Sequence, residues 1–142
     1  MKIVDLNILL YAINQDSPRH EVASEWLRKA LVENEIVALP WVVLLGFLRL
    51  TTRAGVFTRP LHVDQAIGVV EEWLVRPNVS VLRPGEGHWT ILRRLMKSSG
   101  TAGNLTTDAH LAALAIEYGA CLYSCDQDFA RFGDELRFHN PL

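Results

Sequence analysis

Asp5 closes the first apolar run of the chain, Asp108 opens an Ala/Leu-rich segment, and Asp126 and Asp128 follow the last clear β-like run. The five histidines are scattered without a His-x-His or Glu-x-x-His spacing, and Cys121 and Cys125 lack the second ligand pair of a zinc site. Carboxylates without such partners form a hard, oxygen-rich donor set, which suits Mg²⁺ or Mn²⁺ better than zinc. An ion held this way lowers the pKa of bound water, orients it in line and neutralises the leaving oxygen, which is what phosphodiester hydrolysis requires. Other acid-based or phosphate-binding chemistries fit less well. A glycosidase pair needs a sugar cleft rich in aromatics, and none is evident. The Walker motif, a Gly-x-Gly-x-x-Gly after Asp5 and a Gly-x-Ser-x-Gly nucleophile elbow are all missing.

These acids act together only if the fold brings them to one place. Met1-Lys2-Ile3-Val4 reads as a short β-branched strand ending in Asp5-Leu6-Asn7, and Cys121-Leu122-Tyr123-Ser124-Cys125 reads as a strand ending in Asp126-Gln127-Asp128. In a parallel sheet the carboxyl ends of neighbouring strands share an edge, and ligands bind at the switch point of that edge. Asp5 and Asp126 are therefore expected to converge. Asp108 lies in phase with Leu111, Ala112, Ala115 and Ile116 of a helix that Asn104 or Thr106 is placed to cap. It leans toward the buried face, where an acid needs a cation or a donor. Each acid also has a bland role available: Asp5 or Asn7 as a turn or cap residue, Asp126 and Asp128 as caps of a short helix to Arg131, and Asp108 as a favourable charge in a first helical turn.

Along the rest of the chain, Leu6 to Ile13 reads as a short helix, and Ser17-Pro18 as the cap and first position of the next. That second helix places Val22, Ala23, Trp26, Leu27, Ala30 and Leu31 on one stripe. Glu35 to Leu39 is expected as a strand. Pro40 then opens a helix to Arg53 whose first half is apolar all round and so should be buried. Val63 to Val75 and Gly85 to Ser98 read as further helices, with Val79 to Leu82 a strand between them. Residues 99–103 read as a flexible connection, Gly119 as the C′ residue of the Asp108 helix, and Leu136 to Phe138 as an edge strand. Strands interleaved with helices predict a three-layer α/β/α architecture with a mainly parallel sheet and right-handed crossovers.

The length of 142 residues with 49% hydrophobic content predicts one domain over 1–142. The longest apolar stretches fall short of the roughly 20 residues of a membrane span. The first run carries Asp5 and Asn7 and no small-residue cleavage motif, so a cytoplasmic location is expected. On a strand, the two cysteines would stand roughly 13 Å apart, beyond disulfide reach, and are read as buried structural thiols. The net charge of −2 conceals an asymmetry: residues 42–100 carry eight basic and four acidic side chains, whereas 101–142 carry two and six. A basic middle beside an acidic site suits a polyanion whose phosphate needs a metal bridge, although solvated helix faces give the same imbalance. Trp26, Trp41, Trp73 and Trp89 fall mostly on apolar helical faces and are assigned to core or interface packing.

At Asp5-Leu6-Asn7, at Asn104-Leu105-Thr106-Thr107-Asp108-Ala109-His110-Leu111-Ala112-Ala113-Leu114-Ala115 and at Ser124-Cys125-Asp126-Gln127-Asp128-Phe129, the chain resembles the PIN domain. More narrowly, it resembles the VapC toxins of VapBC toxin–antitoxin pairs. The resemblance spans nearly the whole chain. It implies a PIN-like α/β/α fold and a Mg²⁺-dependent endoribonuclease, with Mn²⁺ as a substitute, that cuts structured RNA such as tRNA or ribosomal RNA and arrests translation. By position, Asp5 and Asp108 would be the primary metal carboxylates and Asp126 would complete the site. Asp128 is a further metal candidate, with Asn7, Thr107 and Ser124 in support, holding waters or the scissile phosphate. The resemblance also implies a homodimer and a VapB-type antitoxin whose tail lies in a groove and sends a basic side chain to the acids.

One position departs from the family pattern. PIN domains commonly carry a further acid on the helix after the second strand, and Gly46 stands there in this chain. Glycine inside a helix points to close approach or to space reserved for a ligand. Arg49 and Arg53, one turn apart on that helix, are candidates for RNA phosphate contact, and Arg93, Arg94 and Lys97 form a second basic cluster. Two readings result: the ribonuclease toxin, or a PIN-fold module that has lost catalysis through Gly46 and binds RNA or a protein.

Overall fold

The computed structural model describes residues 1–100 and 102–142. Its sheet is built from β1 (Lys2–Val4), β2 (Val37–Pro40), β3 (Val79–Leu82), β4 (Cys121–Tyr123) and β5 (Phe138–His139) in the spatial order β3-β2-β1-β4-β5. Every pairing is parallel. The helices are α1 (Leu6–Ile13), α2 (His20–Ala30), α3 (Trp41–Thr51), α4 (Val63–Leu74), α5 (His88–Ser99) and α6 (Thr106–Glu117), with 3₁₀ segments at Gly103–Leu105 and Gln127–Phe132.

The chain winds outward from β1 to β3 and then returns to β4 on the other side of β1. With right-handed crossovers this puts α1 to α4 on one face of the sheet and α5 and α6 on the other. Helix packing divides the same way: α1 contacts α2 and α3, α3 contacts α4, and α5 contacts α6. The reversal of strand order falls between β1 and β4, where Val4 is paired with Tyr123. Asp5 and Ser124 to Asp126 thus leave adjacent strands at the same edge.

Strands covered on both faces have no polar side to show. Ile3, Val4, Val37, Ala38 and Leu122 are all fully buried, together with Ile8, Leu9, Phe47, Leu111, Leu114 and Phe129 from the covering layers. Phe47 meets the edge of Trp73 with ring centroids 4.8 Å apart, which joins α3 to α4. Among the described residues no helix is long and apolar enough to cross a membrane.

Several local expectations change. α2 begins at His20 instead of Pro18: Ser17 accepts from Arg19 N–H through its hydroxyl and from His20 N–H through its carbonyl, closing a turn before the helix. Val22 is 55% exposed, because the apolar stripe of α2 is wider than the surface it covers. α3 is buried on one side only, with Val43, Leu44 and Phe47 inside and Trp41 and Leu45 turned outward. Neither Asn104 nor Thr106 caps α6, since the 3₁₀ turn Gly103–Leu105 runs directly into it. Of the connection expected at 99–103, Ser99 belongs to α5, Gly103 to that 3₁₀ turn, and Thr101 lies outside the described residues. Gly119 does take a left-handed conformation after α6, at φ 59°. β4 ends at Tyr123, so Cys125 lies beyond it, and both cysteines are free and half-buried instead of fully buried.

Phe47 carries the α3–α4 contact from a fully buried position, so Phe47→Ala is expected to lower stability by about 3–5 kcal/mol. Urea unfolding followed by circular dichroism should show a lower midpoint with an unchanged slope.

Candidate active site

The site starts with a carboxylate that has no room to be solvated. Asp5 is 7% exposed at the end of β1, and its backbone N–H donates to Tyr123 O on β4 at 2.9 Å. Leu6 N–H donates to Asp5 Oδ1 at 2.7 Å, so the side chain caps α1. Its other oxygen, Oδ2, accepts from Ser124 Oγ at 2.6 Å and from Asn7 Nδ2 at 2.8 Å. Burial raises the pKa of Asp5 above the usual range, the donors from Ser124 and Leu6 pull it down, and the Asp126 charge pushes it up again.

Ser124 and Asn7 complete a closed network between the two strand ends. The Ser124 hydroxyl gives its proton to Asp5 and accepts from Asn7 Nδ2 and from Asp126 N–H, each at 3.0 Å. Asn7 Oδ1 accepts from Cys125 N–H at 3.2 Å. A hydroxyl has one donor and two acceptor positions, and an amide nitrogen has two donors. Both side chains therefore spend those groups inside the protein, and no buried side-chain polar atom among the described residues is left without a partner.

Asp126 caps the following 3₁₀ segment by accepting from Asp128 N–H at 2.8 Å. Asp128 is exposed and pairs with Arg131, whose Nη2 lies 3.0 Å from Oδ1 and whose Nε donates to the Asp128 carbonyl at 3.1 Å. Asp108 stands in the first turn of α6, half-buried, with Thr107 exposed beside it. Its pKa is pushed up to about 6, chiefly by burial, then by the charges of Asp5, Asp126 and Asp128, with Arg131 opposing. The other three acids identified from sequence thus all bear on Asp108. Arg131 is the cation that the sequence reading missed; its only local signal is the spacing of three from Asp128. Arg49 and Arg53 are exposed on and just beyond α3 and are not among the charges that shift the acids.

Among the described residues, no three carboxylate, imidazole or thiol groups close into a ready-made metal cage. The donor chemistry nevertheless fits a hard divalent ion: carboxylates whose proton affinity is raised first by burial and then by the charge of neighbouring acids, at Asp5 and at Asp108. Mg²⁺ is satisfied by one or two carboxylates and keeps several waters, so it does not need a complete protein cage.

The PIN domain family model matches residues 2–135, a span that contains β1, α6, β4 and all four acids. The chain belongs to the PIN-domain family. It is 45% identical over 141 residues to Ribonuclease VapC37 of Mycobacterium tuberculosis, covering 99% of this chain and 97% of that one. In fold it resembles the Rickettsia felis VapBC2 structure bound to a promoter DNA fragment, with TM-score 0.72 at 18% identity over 98% of this chain and 97% of the other. It also resembles the Mycobacterium tuberculosis VapC20 structure, a sarcin-ricin loop cleaving toxin, with TM-score 0.69 at 20% identity over 96% and 99%.

Within the PIN fold, Gly46 has a local explanation. It is buried in α3, and a Cβ placed on it would meet Leu6 Cδ2 at 2.6 Å. The space that a side chain at 46 would enter is filled by the end of the Leu6 side chain, next to Asp5, so this glycine marks close approach and not space kept open for a ligand.

The folded pKa of Asp108 stands above its unfolded value of 3.8, so the fold holds this proton more tightly than the unfolded chain does. Its stabilising contribution is complete below pH 3.8 and is lost as pH rises through about 6. Metal-free Asp108→Asn should therefore melt a few degrees above the parent at pH 7.5, with the gap closing toward pH 4. Calorimetry with EDTA across that range measures it. Excess Mg²⁺ should raise the melting point of the parent more than that of the variant.

Proposed function

We propose that this PIN domain, taken as one domain over residues 1–142, is a VapC-type endoribonuclease and the toxin of a type II toxin–antitoxin pair. The observation that carries this reading is the convergence of Asp5, Asp108 and Asp126, with Asp128 at the rim, on one sheet edge inside the family match. Its substrate class would be structured RNA of the tRNA or ribosomal RNA kind. A VapB-type antitoxin and a second copy of the chain are its proposed partners, in the cytoplasm.

Asp5, Asp108 and Asp126 are assigned to hold Mg²⁺, or Mn²⁺ in its place. When bound, the ion supplies a lowered water pKa and charge neutralisation at the phosphate. The chain's own contribution is preorganisation. Three donors fix Asp5, so its oxygens do not reorient on binding. Ser124 and Asn7 are positioning residues, because their hydrogen-bonding groups are engaged with Asp5, with each other, and with Asp126 and Cys125. Thr107, exposed beside Asp108, is free to meet a phosphate oxygen, and Arg49 and Arg53 remain candidates for the RNA backbone. Asp108 is mostly ionised at neutral pH and becomes a poorer ligand below about pH 6. Arg131 is a local counterion for Asp128 in the metal-free protein.

The second reading, a PIN module without catalysis, has Gly46 in its favour, since the site lacks an acid there. Incubating the purified protein with tRNA and ribosomal RNA separates the two. The ribonuclease gives discrete cuts with Mg²⁺ or Mn²⁺, none with EDTA, and at least a hundredfold slower cutting for Asp5→Asn and Asp108→Asn. Apparent Mn²⁺ affinity should rise with pH up to about 6 and then level off. A folded parent that binds RNA and never cuts it would leave the non-catalytic reading standing.

A further inference from the structure

Trp89, Arg93 and Lys97 recur every four residues along α5 and so form one row on its surface. All three are exposed, Trp89 to 66%. The opposite side of α5 buries His88 and Leu95 and packs on α6, so the row faces away from the domain. Thr90, Arg94 and Ser98 lie beside it, and with Arg93 and Lys97 they line a shallow depression. Arg94 is tied to Glu135 by two hydrogen bonds, at 2.6 and 3.0 Å. Among the described residues Arg93 and Lys97 form no ion pair.

An exposed indole followed by two unpaired cations is a mixed surface. Two copies of this face meeting each other would set like charge against like charge and desolvate both cations without a partner. A nucleic-acid strand satisfies all three groups, since a base has a flat face for the indole and its phosphates pair with the cations. The placement fits as well. The row is about 12 Å long, and Lys97 is in the last turn of α5. A short connection then leads into α6, whose first turn carries Asp108.

We propose that this face of α5 is a docking site for unpaired nucleotides of the RNA substrate, with a base stacked on Trp89 and phosphates on Arg93 and Lys97. The proposal rests on the ribonuclease reading and deepens it: the recognised feature is single-stranded RNA flanking the cut, because only unstacked bases can reach an aromatic side chain.

The test is carried out in the full chain with Asp108→Asn to block cutting. A fluorescein-labelled 12-nucleotide RNA of mixed sequence and the blunt-ended duplex it forms with its complement serve as probes. Trp89→Ala should weaken binding of the single strand on the order of tenfold, with Trp89→Phe recovering most of it and the duplex affected much less. Arg93→Ala/Lys97→Ala should lower the slope of log affinity against log salt by about 1.4. Arg76→Ala, an exposed change on the opposite helical layer, is the control. All these positions are exposed, so melting temperatures should stay close to the parent's. Unchanged affinity and salt slope in the α5 variants, with the chain carrying Asp108 cutting RNA, would overturn the docking site and leave the ribonuclease intact. Loss of self-association by Trp89→Ala with RNA affinity unchanged would overturn it too, giving the face to a second copy. A parent that neither binds nor cuts RNA would remove both readings.

Discussion

The hydrogen bond from Ser124 to Asp5 joins the ends of two strands that are far apart in sequence, and the geometry of the site depends on it. A carboxylate at a buried strand end would be strongly disfavoured if its oxygens found no donors. β1 and β4 supply those donors only because they are neighbours in the sheet and in register from Lys2 opposite Cys121 to Val4 opposite Tyr123. The same register brings Asp126 to the Ser124 hydroxyl through its backbone N–H. Sheet order, strand pairing and the orientation of the acids are therefore a single constraint.

That constraint has an energetic counterpart. Burial, with the charges of Asp5, Asp126 and Asp128 added to it, raises the proton affinity of Asp108, and the domain tolerates this because Asp108 is only half-buried and Asp128 reaches solvent and Arg131. Asp5 and Asp126 each cap the segment that follows them while facing the site. Asp5 divides its two oxygens between these bonds, holding Leu6 N–H with Oδ1 and the Ser124–Asn7 network with Oδ2. The capping role of Asp5 and Asp126 is thus compatible with the metal-binding role proposed for them.

The sequence made the architecture and the converging acids readable because both depend on strand ends, and β-branched runs ending in a carboxylate mark those plainly. α1 over Leu6–Ile13 and β3 over Val79–Leu82 have the expected bounds. What was not readable depends on what covers a surface. Hydrophobic periodicity assigns a face to Val22, Trp41 and Leu45 but does not reveal whether anything lies over that face, and among the described residues these three side chains stay exposed. Asn104 and Thr106 have the chemistry of caps, yet a 3₁₀ turn already occupies the start of α6. Arg131 is an ordinary exposed helical cation until the fold places it within the field of Asp108. Gly46 was legible as an anomaly, and its cause, the Leu6 side chain, lies 40 positions earlier in the chain.

The fit of Leu6 over Gly46 makes the two positions a coupled pair. A Cβ at 46 would stand 2.6 Å from Leu6 Cδ2, the free end of a side chain that can turn to another rotamer, so a residue larger than glycine is accommodated there by moving the leucine whose N–H donates to Asp5. Substitutions at the two positions are therefore non-additive, and what is tolerated at 46 is set by what stands at 6.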